Sequence, residues 1–410
     1  MSVSSAAAPN MASDICGIAA QVGVVDSVVA EVRELVKKRL TPKVLDVDLK
    51  AEYPEDLLRD IGKAGGYRGA ASPEYGGNDL GLRHVVEVIE EVSKECLSTG
   101  FMIWCQTACA RYIDQSDNTW VKECYLPRIV SGELLAGTGL SNTMKSADTI
   151  EDYRLSARRA EGGYVINGVL PWVSNLGPDH VFVTGCPVRG ADGELQGLAF
   201  VLVECGQPGF RLVDCARFIG LDGARTLACH FKECFIPDAM VLAQPSESAA
   251  YLARIKPGMI LAQMGMGLGL IDGCALLMEQ SNRTHGHVNQ YLDDQVGEVV
   301  AALEEARTAT YDLCDAVEAD AGGGARYGLD VLKLRLAGGE LSVRAAHAAM
   351  LHQGAKGYLV RNAAQRRLRE AYFVAIVTPA TKHLRREIAR MGSEAQAMGS
   401  EAQALPACAA

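Results

Sequence analysis

The hydrophobic period of this chain changes twice along its length, and that alternation limits the possible folds more than any other feature. Residues 24–135 carry apolar side chains at helical spacing. The stretch "VDSVVAEVRELVKKRL" is amphipathic, and "LRHVVEVIEEVSKECL" sets an apolar face against charges. Pro54 stands where the first turn of a helix would begin, before "EDLLRDIGKAGG". From about 137 to 241 the period falls to two. "YRLSARRAEGGYVINGVLPWVSN" predicts two strands around a Gly-Gly turn; "HVFVTGCPV", "GLAFVLVE" and "ACHFKECFIP" predict further strands between Gly, Pro and Asp. Strands this closely spaced predict an antiparallel barrel or sandwich rather than a Rossmann unit, and no Gly-x-Gly-x-x-Gly loop follows a strand. From about 246 onward four long helical segments predict an up-down bundle.

The expected organisation is therefore α+β. A disordered N-terminus (1–23) precedes a helical domain (24–136), a β-domain (137–242), a helical bundle (243–390) and a disordered tail (391–410), in which "MGSEAQA" occurs twice. A chain of 410 residues exceeds what one core usually serves, which agrees with several domains. The net charge of −10 and pI near 5.4 argue against nucleic acid or an anionic membrane as the main partner. The N-terminus lacks a basic region followed by an apolar run, so a cytoplasmic protein is expected. The longest apolar stretch, "GMILAQMGMGLGLIDGCALLM", is Gly-rich and broken by Asp272, which suits a buried helix better than a membrane span. The 13 cysteines are scattered with no Cys-x-x-Cys pair, as expected of reduced thiols without a metal. His285 and His287 read as polar loop residues, not zinc ligands.

Five motifs in order resemble the acyl-CoA dehydrogenase flavoprotein family over about 30–390. They are "YLPRIVSGELLAGTGLS" (125–141), "LSNTMKSAD" (140–148), "GYVINGVLPWVSN" (163–175), "IGLDGARTLACHFKECFIP" (219–237) and "QGAKGYL" (353–359). The resemblance implies an N-terminal helical domain, a middle antiparallel β-barrel and a C-terminal four-helix bundle. It also implies bound FAD, an acyl substrate carried as a CoA thioester, an electron-transfer partner, and a homotetramer or homodimer with FAD at a subunit interface. A flavin ring needs a flat apolar wall and a donor near N5; Trp172 supplies the first and the Ser174 hydroxyl the second. A lone Trp in a strand is most simply a core residue, and Ser174 most simply a turn residue. Within "LPWVSN" after an Asn-Gly turn, the flavin role is the expectation. Leu140 and Ser141 would hold the pyrimidine edge. Arg283, in "SNRTHGHVNQYLDDQ", is the candidate for the pyrophosphate, with a solvated helix-end arginine as the alternative; His285 stands where the family has Phe. Gly354 opens the Gly-rich turn between the last bundle helices.

Dehydrogenation of an acyl thioester needs a base for the α-proton, and in the family a Glu in the bend between the last two helices supplies it. Pro379 predicts that bend at Val377-Thr378-Pro379, and counting from Arg369-Glu370 puts Thr378 at the place of the base. The family's other location for it, at the start of the first bundle helix, is Ile255 here, before Lys256-Pro257; Glu387 lies too far along the final helix. Asp222 is a weak candidate for a displaced base, although its place between two glycines suits a turn. Asp148 reads as a turn or capping residue and Glu91 as a solvated helix face. Ala147 stands where the family has Ser, and Asn142-Thr143 where it has Glu-Pro, which bears on how a CoA thioester would bind. Alternatives are a flavin monooxygenase of the same superfamily, and a non-catalytic subunit of a hetero-oligomeric dehydrogenase.

Overall fold

In the computed structural model, residues 27–190 and 192–404 are described; the expectations for 1–23 and 405–410 lie outside them. Helix α1 (27–35) runs through a π turn (Val36–Leu40) and a 3-10 turn (Thr41–Lys43) into α2 (Val44–Lys50). Pro54 directly precedes α3 (Glu55–Lys63), where its missing N–H costs nothing. Next come α4 (Gly81–Ser93), α5 (Leu97–Asp114) and α6 (Thr119–Val130). α5 is buried almost all round and forms the central post of this domain. Asn118 starts α6 by accepting the Val121 N–H at 3.1 Å.

The middle domain holds β1 (Ala136–Thr138), α7 (Leu140–Ala147), β2 (Leu155–Ala160), β3 (Gly163–Val173), β4 (Val181–Arg189), β5 (Leu195–Glu204), β6 (Phe210–Asp214), β7 (Leu227–Pro237) and β8 (Val241–Ala243). They make one sheet in the order β6-β7-β3-β2-β4-β5-β8, with β1 also on β4. The sheet is mixed where an antiparallel one was expected: β1 and β2 both run parallel to β4. The cause is topological. β3 returns antiparallel to β2, and the following connection lays β4 against β2 instead of β3, so β4 shares β2's direction.

The bundle comprises α8 (Ser248–Ala262), α9 (Met264–Asn289), α10 (Val296–Glu318), α11 (Gly328–Gln353), α12 (Ala363–Ile376) and α13 (Thr381–Ala404). The segment Pro245–Asn289 is long and apolar enough to cross a membrane, yet 83% of its most apolar window is buried inside the protein. It is two helices meeting at Gln263, not one element. The expected bend stands between α12 and α13, with a cis Thr378-Pro379 peptide. The tail departs from expectation over 391–404, where α13 continues through the repeat. Ala, Glu, Gln and Met dominate that repeat, and all are strong helix formers.

Candidate active site

A cavity of about 560 Å³ opens where α5, α7, the end of β3, the loop between β6 and β7, and the bend after α12 converge. Its size is that of a small-molecule site. Its lining includes Leu140, Ser141, Trp172, Ser174 and Thr378, five positions drawn from three distant stretches of sequence.

α7 begins at the cavity because the preceding turn is fixed on β4. Gly139 N–H donates to Val183 O at 2.8 Å, and Thr184 Oγ1 donates to Gly139 O at 3.2 Å. Ser141 is thereby left exposed on the first turn. Asn142 and Thr143 are buried and hold the helix down. Asn142 accepts from Arg154 N at 3.0 Å and donates to Glu151 at 2.7 Å, while Thr143 Oγ1 donates to Gly185 O at 2.9 Å. These two departures from the family pattern therefore serve as anchors.

On the opposite wall Trp172 is 57% exposed, its ring edge-on to Phe218 at 6.2 Å. Ser174 Oγ shares a 2.7 Å hydrogen bond with Thr226 Oγ1, and both line the cavity. The next residue, Asn175, is fully buried with φ 61°. It donates to Ala136 O at 2.8 Å and accepts from Tyr53 Oη at 2.7 Å, fixing the end of β3 to both β1 and the helical domain. Leu221 and Arg225 also have positive φ (65° and 47°). Leu221 lines the cavity, and Asn175 and Arg225 directly adjoin the lining residues Ser174 and Thr226; a leucine or arginine at positive φ stores backbone strain.

The roof is the bend. Thr378 Oγ1 meets Ser141 Oγ at 2.6 Å, and Thr378 O accepts from Gln263 Nε2 at 2.9 Å. Phe101 stacks on Trp104 (5.7 Å) and meets Phe373 edge-on (4.6 Å), giving an apolar side wall. The charged residues lining the cavity are Lys145, Arg217 and Arg369; no carboxylate lines it among the described residues. Lys145 pairs with Glu151 at 2.9 Å, and Arg369 with Asp48 at 2.6 Å.

The other expected positions lie elsewhere. Asp222 Oδ1 accepts the Phe218 N–H at 3.0 Å and so closes a turn; it does not line the cavity. Asp148 takes Lys256 (2.8 Å) and His383 (2.9 Å), joining the end of α7 to α8 and α13. Burial opposes its charge, but the His383 hydrogen bond and the Lys256 charge outweigh burial and hold its carboxyl below the ordinary value. Glu91 pairs with Arg33 at the surface (2.8 Å), Ile255 is buried, and Glu387 is held by Arg386 and Arg390 within α13. Arg283 is exposed on α9 and Gly354 follows α11, both outside the cavity lining. His285 and His287, expected in a loop, are helical in α9. Thr226, Asn175, Tyr53, Lys145 and Gln263 shape the site without having been anticipated. Asn175, Lys145 and Thr226 stood in motifs quoted for the resemblance, but their partners lie outside those motifs or in another one, while Tyr53 and Gln263 stood in none of the five.

Residues 26–133 match the family model described as the acyl-CoA dehydrogenase N-terminal domain. The mitochondrial isovaleryl-CoA dehydrogenase of Oryza sativa is 24% identical over 373 residues, covering 87% of this chain and 88% of that protein. Among solved structures, the glutaryl-coenzyme A dehydrogenase complex with glutaryl-CoA superposes with a TM-score of 0.79 at 22% identity, over 90% of this chain and 95% of that one. PigA with FAD and proline superposes with a TM-score of 0.76 at 18% identity, over 91% and 97%. Domain order, site placement and these likenesses agree: residues 26–133 match the N-terminal domain of the acyl-CoA dehydrogenases, and the chain as a whole resembles that family and shares its fold.

Proposed function

We propose that this protein is an FAD-dependent oxidoreductase acting at the CH–CH group of an acyl thioester, most simply a CoA thioester. The observation that carries the reading is the exposed indole of Trp172 lining one cavity together with three hydroxyls, Ser141, Ser174 and Thr226. That arrangement fits a flavin ring, which needs an apolar wall and hydrogen-bond partners at its polar edge. When bound, FAD would supply hydride acceptance. Trp172 would carry the ring, Ser174 would hydrogen-bond near N5, and Leu140 with Ser141 would hold the pyrimidine edge. Phe101, Trp104 and Phe373 would exclude water from the acyl chain. FAD and CoA-thioester binding by the relatives supports the reading. Within one chain, Arg283 and Gly354 lie outside the cavity, which supports a homodimer or homotetramer in which they serve a second copy's cofactor. An electron-transfer partner belongs to the same proposal.

A threonine hydroxyl is too weak a base for an α-proton near neutral pH, and among the described residues no lining carboxylate stands by to help Thr378. That absence favours a second reading, in which no protein base is needed at an acyl α-carbon: flavin-dependent monooxygenation. The test is an anaerobic titration of the purified protein with a panel of acyl-CoA thioesters. Bleaching of the flavin band by any of them supports the first reading. Bleaching by none, with flavin present, removes it in favour of the second. A colourless protein that takes up no added FAD would leave only a non-catalytic subunit.

A further inference from the structure

Arg335, in the middle of α11, is 1% exposed. Its Nε donates to Gln263 Oε1 at 2.9 Å, and its Nη2 donates to Val374 O. Among the described residues no carboxylate pairs with it, whereas the neighbouring buried Arg366 pairs with Glu370 at 3.0 Å. Gly339 makes the room: a Cβ there would lie 2.9 Å from Arg335 Nη1. Burial pulls the guanidinium down to about 10, so it is still charged at neutral pH.

The two partners of Arg335 locate its effect. Val374 O belongs to the last turn of α12, where helix carbonyls carry partial negative charge. Gln263, fully buried at the junction of α8 and α9, passes the contact on by donating to Thr378 O at 2.9 Å. Arg335 thus stands one side chain behind the roof. Lys145 and Arg369, which line the cavity, are each neutralised by a carboxylate, and Arg217 is exposed. Arg335 is a buried charge, without a carboxylate partner among the described residues, that is linked to the roof through Gln263. Burying an unpaired ion is costly, and a chain under pressure for stability alone would do as well with an apolar residue.

We propose that Arg335 is a positioning residue of the active site: through Gln263 it holds Thr378 over the cavity, and its charge favours an anion there, the state reached at the flavin's pyrimidine edge on reduction. This rests on the flavin reading above. The full-length protein is compared with Arg335→Lys, Arg335→Gln and Arg335→Met. The measurements are flavin content, midpoint potential by stepwise chemical reduction against a reference dye, and thermal unfolding. Arg335→Lys should keep a parental potential, while Arg335→Gln and Arg335→Met should shift to more negative values at undiminished flavin content. Arg335→Met should unfold at the parental temperature or above it. Should Arg335→Met not fold, Arg335→Gln, which retains hydrogen bonding without charge, decides the matter. Potentials that ignore charge, alongside a lowered unfolding temperature, overturn the proposal in favour of a structural role. A parent without flavin overturns the functional reading as well; a flavin-bound parent with charge-independent potentials overturns this inference alone.

Discussion

Trp172 is more than half open although it lies in a strand, and an indole left that open lacks the contacts that would make it a core residue. Trp172→Ala should therefore lower flavin affinity by roughly 1–3 kcal/mol, about 5- to 150-fold, while leaving the unfolding temperature of the apo-protein nearly unchanged. Visible absorbance after gel filtration measures the first and calorimetry the second; equal flavin content in mutant and parent would return Trp172 to the core. Thr378 offers the complementary test. A carboxylate placed there would face the cavity beside Ser141. Loss of a positioned base typically costs roughly 10²–10⁴-fold, so Thr378→Glu should accelerate bleaching of bound flavin by saturated acyl-CoA on that scale. No gain on any chain length would mean that the bend before Pro379 aims residue 378 away from the α-carbon.

Among the elements, α12 shows what the sequence reveals and what it hides. Pro379 made the bend after it legible, because a proline's missing donor is a local property. Arg369 and Glu370 are adjacent in sequence but face opposite ways: Arg369 reaches Asp48 of α2, and Glu370 turns inward to Arg366, each side chain of that pair 2% exposed. Removing one partner of a buried pair strands the other's charge, so Glu370→Gln should destabilise the protein by roughly 3–5 kcal/mol, seen as a lowered urea midpoint. Such side-chain directions are set by packing between elements, which no single stretch encodes. For the same reason Trp172, Ser174 and Ser141 could be picked out inside their motifs, whereas Thr226 and Gln263 could not. Their roles exist only once β3 meets β7 and α8 meets the bend. The apolar stretch "GMILAQMGMGLGLIDGCALLM" likewise hid its break at Gln263, because glycines and methionines on both sides keep helical spacing.

For the molecule as a whole, acid should be the weak direction. His84 is fully buried, and burial pulls its imidazole down to about 4. The unfolded chain takes up that proton near pH 6.5 and the folded one does not. The stability due to a neutral His84 is thus complete above pH 6.5 and is lost as pH falls toward 4. The loss amounts to roughly 3 kcal/mol at 1.36 kcal/mol per unit, and urea midpoints should decline across that window, less so in His84→Gln. Assembly is testable at the same scale. Val288, Tyr291, Tyr358, Leu359 and Val360 are all exposed in the region where the ends of α9 and α11 meet, and this apolar surface suits a second copy. Sedimentation should give a multiple of 43.7 kDa, and a flavin-loaded monomer would refute the shared site. Finally, β1 closes the helical domain in sequence yet hydrogen-bonds along β4, from Ala136 beside Val181 to Thr138 beside Val183. Chimeras that exchange the N-terminal region between relatives as a cassette must therefore place their junction between the last helix and Ala136. A splice past Thr138 would leave β4 paired to a foreign strand.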